Sequence, residues 1–171
     1  IRYGDLPDSS LVARKLASSH RVLCASPEYL KLKGAPQTLE ALSEHDCLVM
    51  TRGTEPLTNW YFQTDDGLVA RSIRGSRSSN DGALIRRWAL EGEGIALKSY
   101  LEVAADIKAG RLNIVLERYL PDFSKSGATK KQLTQSSGTD LHIIYPSRQY
   151  VPKRVKAFIE ALQAYFKSLD L

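Results

Sequence analysis

The densest set of chemically capable residues in this chain is Ser78-Ser79-Asn80-Asp81, just before the apolar-periodic run from Ala83 to Leu90. Ser, Asn and Asp at such a junction accept hydrogen bonds from the N–H groups that the first turn of a helix leaves unpaired. Those N–H groups can equally face a small ligand. A helix that starts at the carboxyl end of a strand is where open α/β sheets bind one, often an anion. Capping and ligand contact are both open readings for these side chains. An Asp in the turn works against a fully anionic ligand unless its carboxylate turns into the cap. Arg52 and Arg77 are cations that could offset it, and both also suit ordinary surface positions. The chemistry predicted is recognition of a molecule, not its transformation.

Nothing else in the chain invites catalysis. The three histidines, His20, His45 and His142, share no helical face, and neither H-E-x-x-H nor C-x-x-C spacing occurs. There is no G-x-S-x-G elbow and no P-loop. Gly92-Glu93-Gly94 follows a helical run and precedes an apolar one, the reverse of a dinucleotide fingerprint. Asp65-Asp66 is a carboxylate pair in name, but its turn context reads as a solvated hairpin tip. No catalytic residue, no metal site and no cofactor is predicted, and the chain is not expected to be an enzyme.

Two further stretches are candidate walls of the same site. Gly4-Asp5-Leu6 follows a strand-like opening, and glycine there lets backbone approach a ligand, although it serves a turn equally well. Thr51 and Arg52 follow the compact run Cys47-Leu48-Val49-Met50 and would face the same crevice if that sheet is parallel. Trp60 reads as a packing residue.

These residues need elements to place them. Ser26-Pro27 reads as an N-cap with proline in the first helical position, and Gly34 stops the short helix that follows. Thr38 starts another short helix. Trp60-Tyr61-Phe62 and Leu68 to Ile73 flank Thr64-Asp65-Asp66-Gly67, a hairpin closed by an Asp-Gly turn. Arg74 to Leu97 reads as strand, capped helix, glycine break and strand. Tyr100 to Lys108 is a helix ended by Gly110, and Leu112 to Leu116 and Leu141 to Tyr145 are strands. Phe123 to Thr139 shifts to Ser, Thr, Lys, Gln and Gly and is expected to be a mobile loop. Pro152 opens a last helix, with Val155, Phe158, Ile159, Leu162, Phe166 and Leu169 at helical spacing on its core face. Alternation of strand and helix gives an α/β fold with mainly parallel pairing.

Composition narrows the partners. With 24 Lys and Arg against 19 Asp and Glu, the net charge is +5, but the basic residues are scattered and form no arm or finger. Diffuse charge reads as a solvated surface, so DNA contact by this segment is not expected. Hydrophobic content of 43% suits a globular core, and no apolar run approaches the about 20 residues that span a bilayer. Cys24 and Cys47 sit in apolar runs and read as buried free thiols, in keeping with a cytoplasmic setting.

In order along the chain, several segments resemble the effector-binding domain of LysR-type transcriptional regulators. They are Ile1-Arg2-Tyr3-Gly4-Asp5-Leu6, Arg21 to Leu30, His45-Asp46-Cys47-Leu48, Trp60 and Phe62 before Gly67, Ser79-Asn80-Asp81, Gly92 to Leu97, Gly110-Arg111-Leu112, Tyr145-Pro146-Ser147-Arg148 and Val155 to Ile159. The resemblance implies a fold like a type 2 periplasmic binding protein, with two Rossmann-like lobes joined by two crossover strands. Residues 21–143 would be the second lobe, with 1–20 and 144–171 the remnant and the C-terminal part of an incomplete first lobe. The family's winged helix-turn-helix, linker helix and the start of lobe one are expected to lie outside this sequence. The function implied is sensing of a small-molecule effector, aromatic or carboxylate, in the inter-lobe cleft, through Gly4, Asp5, Leu6, Thr51, Arg52, Ser79, Asn80 and Asp81. The signal would pass through the geometry of a homodimer, or a tetramer in the full-length protein, to DNA held by the winged helix, with no membrane involved. The alternative of the same architecture is a solute-binding protein of a transport system.

Overall fold

Ser26 shows how closely local sequence sets the elements. Its hydroxyl accepts from Tyr29 N–H at 3.2 Å, Pro27 follows as the first residue of α1 (Pro27–Lys33), and Gly34 closes the helix with its N–H on the Leu30 carbonyl at 2.9 Å. The computed structural model describes residues 1–3, 11–122, 140–146 and 151–168. Its chain divides into two compact units, residues 1–20 with 124–171, and Arg21–Phe123. The division falls at 123/124, where the sequence reading carried the second lobe to 143.

In the first unit β12 (Leu141–Tyr145) lies between β1 (Arg2–Tyr3) and β2 (Val12–Ala17), all antiparallel. The helix α4 (Lys153–Ser168) packs on β2, and its core is Leu16, Leu141, Ile143 and Ile159. Pro152 opens α4 as expected, its carbonyl accepting from Val155 and Lys156 N–H. Phe158 departs from expectation: it is 59% exposed. On the packed side Ile159 is buried and Val155, Leu162 and Phe166 are half-buried, and Phe158 stands about 100° around the helix from Ile159. Leu169 and the Phe123–Thr139 segment lie outside the described residues, apart from the backbone assignment up to Asp122.

The second unit is built on a mixed sheet. In chain order its strands are β3 (Arg21–Ala25), β4 (Cys47–Arg52), β5 (Glu55–Pro56), β8 (Gly75–Ser79), β9 (Ile95–Ser99) and β10 (Asn113–Val115). Across the sheet the order is β10, β3, β9, β4 and β8, with β5 folding back on the end of β4. The strands β4, β8 and β9 run parallel, and β3 runs against both β9 and β10. Parallel pairing therefore holds for β9, β4 and β8 alone in this sheet. The helices α2 (Gly82–Leu90) and α3 (Tyr100–Lys108) are each a crossover between strands that run the same way, and each steps over one strand. β3 occupies the slot that the second crossover leaves, and it enters from the opposite direction.

Alternation along the strands divides the core into two layers. Leu23, Cys47, Val49, Ile95 and Leu97 pack on one face with Trp60, Phe62, Tyr29 and Leu42. Val22, Cys24, Leu48 and Ala96 pack on the other with Ile85 and Ala89 of α2 and Val103 of α3. Trp60 and Phe62 belong to β6 (Asn59–Thr64), which pairs with β7 (Gly67–Ser72) and β11 (Leu120–Asp122) in a separate three-stranded sheet. The hairpin is as expected, but its two-residue loop is Asp65-Asp66, since Gly67 already pairs with Thr64. The Thr38 helix is a 3-10 turn over Glu40–Glu44.

One glycine is fixed by close approach. At Gly94 a Cβ would stand 2.3 Å from the Asp46 carbonyl oxygen, the same oxygen that accepts Ile95 N–H at 2.8 Å. This contact sets β9 against the start of β4.

Candidate functional site

Parallel register gathers most of the predicted residues at one edge. Cys47, Leu48, Val49 and Met50 pair with Gly75, Arg77, Ser78 and Ser79, so β4 and β8 finish side by side. Thr51 and Arg52 end β4, paired with β5, just past the rung where Met50 meets Ser79, the last residue of β8, and Asn80 and Asp81 follow from β8. The carboxyl end of β9, at Lys98 and Ser99, lies on the other flank of β4. This is the strand-end position at which open α/β sheets bind ligands.

Within the turn the cap is closed. Ser79 Oγ accepts from Asp81 N–H at 3.0 Å, and Asp81 Oδ1 accepts from Ala83 N–H at 2.8 Å. The Asp81 carboxylate is thus turned into the start of α2, the one condition under which it does not repel an anion. Arg77 is committed elsewhere, 2.8 Å from Glu93 and over the Trp88 ring. Arg52 is exposed and, among the described residues, has no ion-pair partner. Gly4, Asp5 and Leu6 lie outside the described residues.

Lys98 is a residue the sequence reading passed over. It is 3% exposed, its ammonium donates to the Gly82 carbonyl at 2.9 Å, and Glu102 Oε2 lies at 3.1 Å. Glu102 also accepts from Ser99 N–H at 3.3 Å, closing a capping box at the start of α3. The sequence signal was Ser99-x-x-Glu102 directly after a lysine that ends an apolar strand. One turn further along both helices is a second charged cluster. The Asp106 side chain, fully buried, accepts from Arg86 Nε at 2.6 Å and from Arg111 Nη2 at 2.7 Å. Burial alone would raise the Asp106 pKa, but the two guanidinium groups outweigh it and hold the carboxyl below its usual range.

Other titratable groups are tied into the core. Tyr29 hydroxyl accepts from Asp46 N–H at 2.9 Å and lies within hydrogen-bond reach of His45 Nδ1 at 3.1 Å. Burial lowers the His45 pKa. Burial pushes the Cys24 and Cys47 thiols up to about 12, as expected of inert core cysteines. Among the described residues no group of His, Cys, Asp and Glu could hold a metal ion. No helix among them is long and apolar enough to cross a membrane.

The family model for the LysR substrate binding domain matches residues 1–167. The chain belongs to that family. It is 35% identical over 166 residues to the HTH-type transcriptional regulator DmlR of Escherichia coli (strain K12), covering 97% of this chain and 49% of that protein. To the HTH-type transcriptional activator TtdR of the same strain it is 38% identical over 121 residues, 70% of this chain and 38% of the activator. The chain thus spans about half the length, or less, of these curated relatives. Among solved structures, the CrgA regulatory domain from Neisseria meningitidis matches with a TM-score of 0.76 and 30% identity, over 96% of this chain and 73% of that one. The regulatory domain of AphB in Vibrio vulnificus matches at 0.69 and 29%, over 96% and 72%. This LysR substrate binding domain therefore has the type 2 periplasmic-binding-protein-like fold. Its relatives are transcriptional regulators, not transport proteins.

Proposed function

We propose that this chain is the ligand-sensing domain of a LysR-type DNA-binding transcriptional regulator working in the cytoplasm. It binds a small aromatic or carboxylate effector and releases it chemically unchanged. Thr51, Arg52, Ser79, Asn80 and Asp81 contact the effector at the carboxyl edge of the second unit's sheet, with Gly4, Asp5 and Leu6 as further contacts. Binding biases the geometry of a homodimer, or of a tetramer in the full-length protein. DNA is contacted only through a winged helix-turn-helix that is not part of these 171 residues. An effector can shift such an equilibrium only by its differential affinity for the two arrangements.

The observation that carries this reading is the family match along the whole chain. The placement of Thr51 and Arg52 beside Ser79 supports the residue assignment. In the complete regulator, Asn80→Ala and Thr51→Ala should each weaken the response to effector while leaving the unfolding temperature within a few degrees of wild type. A reporter gene under the regulator's own promoter, scanned against aromatic and carboxylate metabolites, measures it. Responses equal to wild type in both variants would remove these residues from the site.

A further inference from the structure

The sheet face beneath α2 and α3 is apolar until its carboxyl edge, where it ends in an amine. Val22, Cys24, Leu48 and Ala96 line that face. The next position on the same face of β9 is Lys98, whose side chain is 4% exposed. The absence of a side chain at Gly82 leaves the ammonium room at that carbonyl: a Cβ there would lie 3.0 Å from Nζ and 3.5 Å from Glu102 Oε1. One lysine thereby ties the first turn of α2 to the first turn of α3, through Gly82 on one side and Glu102 on the other.

Stability alone does not call for this arrangement. Replacing a buried ion pair by apolar groups of similar volume is often neutral or favourable. A methionine at position 98 would simply continue the apolar face. What it could not do is grip the Gly82 carbonyl, and with it the Ser79-Asn80-Asp81 turn that runs directly into Gly82. We propose that Lys98, supported by Glu102, is a positioning residue of the effector site, holding that turn where Asn80 and the start of α2 meet the effector. The inference rests on the site proposed above.

The test uses Lys98→Met and Glu102→Gln in the complete regulator, with thermal unfolding, amide hydrogen exchange without added compounds, and titration with benzoate and with succinate. Lys98→Met should keep or raise the unfolding temperature, yet speed exchange at the Ala83 and Ile85 amides by about tenfold or more, since local opening is separable from global unfolding. For whichever probe wild type binds, its dissociation constant should rise by about tenfold, the scale on which loosened site supports act. Glu102→Gln should do the same to a smaller degree, and it decides the matter if Lys98→Met does not fold. Unchanged exchange at Ala83 and Ile85, or faster exchange with unchanged probe affinity, would overturn the proposal. So would a lowered unfolding temperature with all amides accelerated alike, which would make Lys98 a folding residue. If wild type binds neither benzoate nor succinate, those two compounds are removed as effectors and the comparison moves to the promoter reporter, where a Lys98→Met response equal to wild type overturns the proposal.

Discussion

Two charged clusters bridge α2 and α3, and they sit one helical turn apart on both helices: Lys98 with Gly82 and Glu102, then Asp106 with Arg86 and Arg111. They differ in which group is buried and in what it holds. In the deeper cluster a carboxylate with no exposure is the hub, and two guanidinium groups with outer surfaces in water close on it. The Asp106 backbone carbonyl also takes the Arg111 N–H at 2.8 Å, so the end of α3 and the approach to β10 are fastened at the same point. In the outer cluster a lysine is the hub, and its bonds run to a first-turn carbonyl and to the carboxylate of an N-terminal capping box. One cluster joins helix to helix. The other ties the first turns of both helices together, beside the residues proposed above to meet the effector.

That contrast can be broken most directly at Asp106. Asp106→Ala removes the hub and leaves two arginines that can turn to water, so the cost should be about 2–3 kcal/mol, below the range for stranding a fully buried charge. Urea unfolding measures it. The same carboxylate predicts an acid signature. Its folded pKa lies below the unfolded value, so its stabilisation is complete above the usual carboxylate range and is lost as pH falls through the folded value. Below about pH 4 the wild type should therefore lose stability more steeply than Asp106→Ala. A wild type and variant with parallel profiles would mean that the Asp106 cluster is no fastening at all.

A smaller effect is expected at the outer edge. Asp81→Ala removes the side chain that accepts Ala83 N–H and should cost about 1 kcal/mol, with faster exchange confined to the first turn of α2. Loss spread over the whole second unit would erase the distinction between edge and interior. Smallest of all is Arg77→Ala. Its ion pair with Glu93 is about half exposed on both sides, and its contact with the Trp88 ring is at 5.7 Å, so stability should change by less than about 1 kcal/mol. A larger change would place Arg77 in the framework after all.

What could be read in the sequence follows from how local its cause is. The Ser26-Pro27 start, the Asp81 cap, the Asp65-Asp66 hairpin and the α4 start at Pro152 depend on residues a few positions apart, and each was legible. The grouping of Thr51 with Ser79 needed one further assumption, parallel pairing of β4 and β8, and that pair is parallel. The direction of β3 was not legible, because an apolar pentapeptide buried on both faces looks the same running either way. Phe158 was misplaced because a row of apolar residues at helical spacing is wider than the strip that one three-stranded sheet can cover. Lys98 was missed because Gly82, the partner that fixes its role, lies 16 residues away and meets it only through the fold, although Glu102 is local.

The interleaved sheet of the second unit also bears on how the chain reaches this state. Across β10, β3, β9, β4 and β8, no two sheet neighbours are consecutive strands of the chain; the local closure at this sheet is β5 on the end of β4. Every rung between those five strands must close a long stretch of polypeptide before it is rewarded, the situation in which folding is slow. The β6–β7 hairpin can zip from its own turn in microseconds, whereas the strand ends that carry Thr51 and Ser79 meet only when the whole stretch between β4 and β8 is closed.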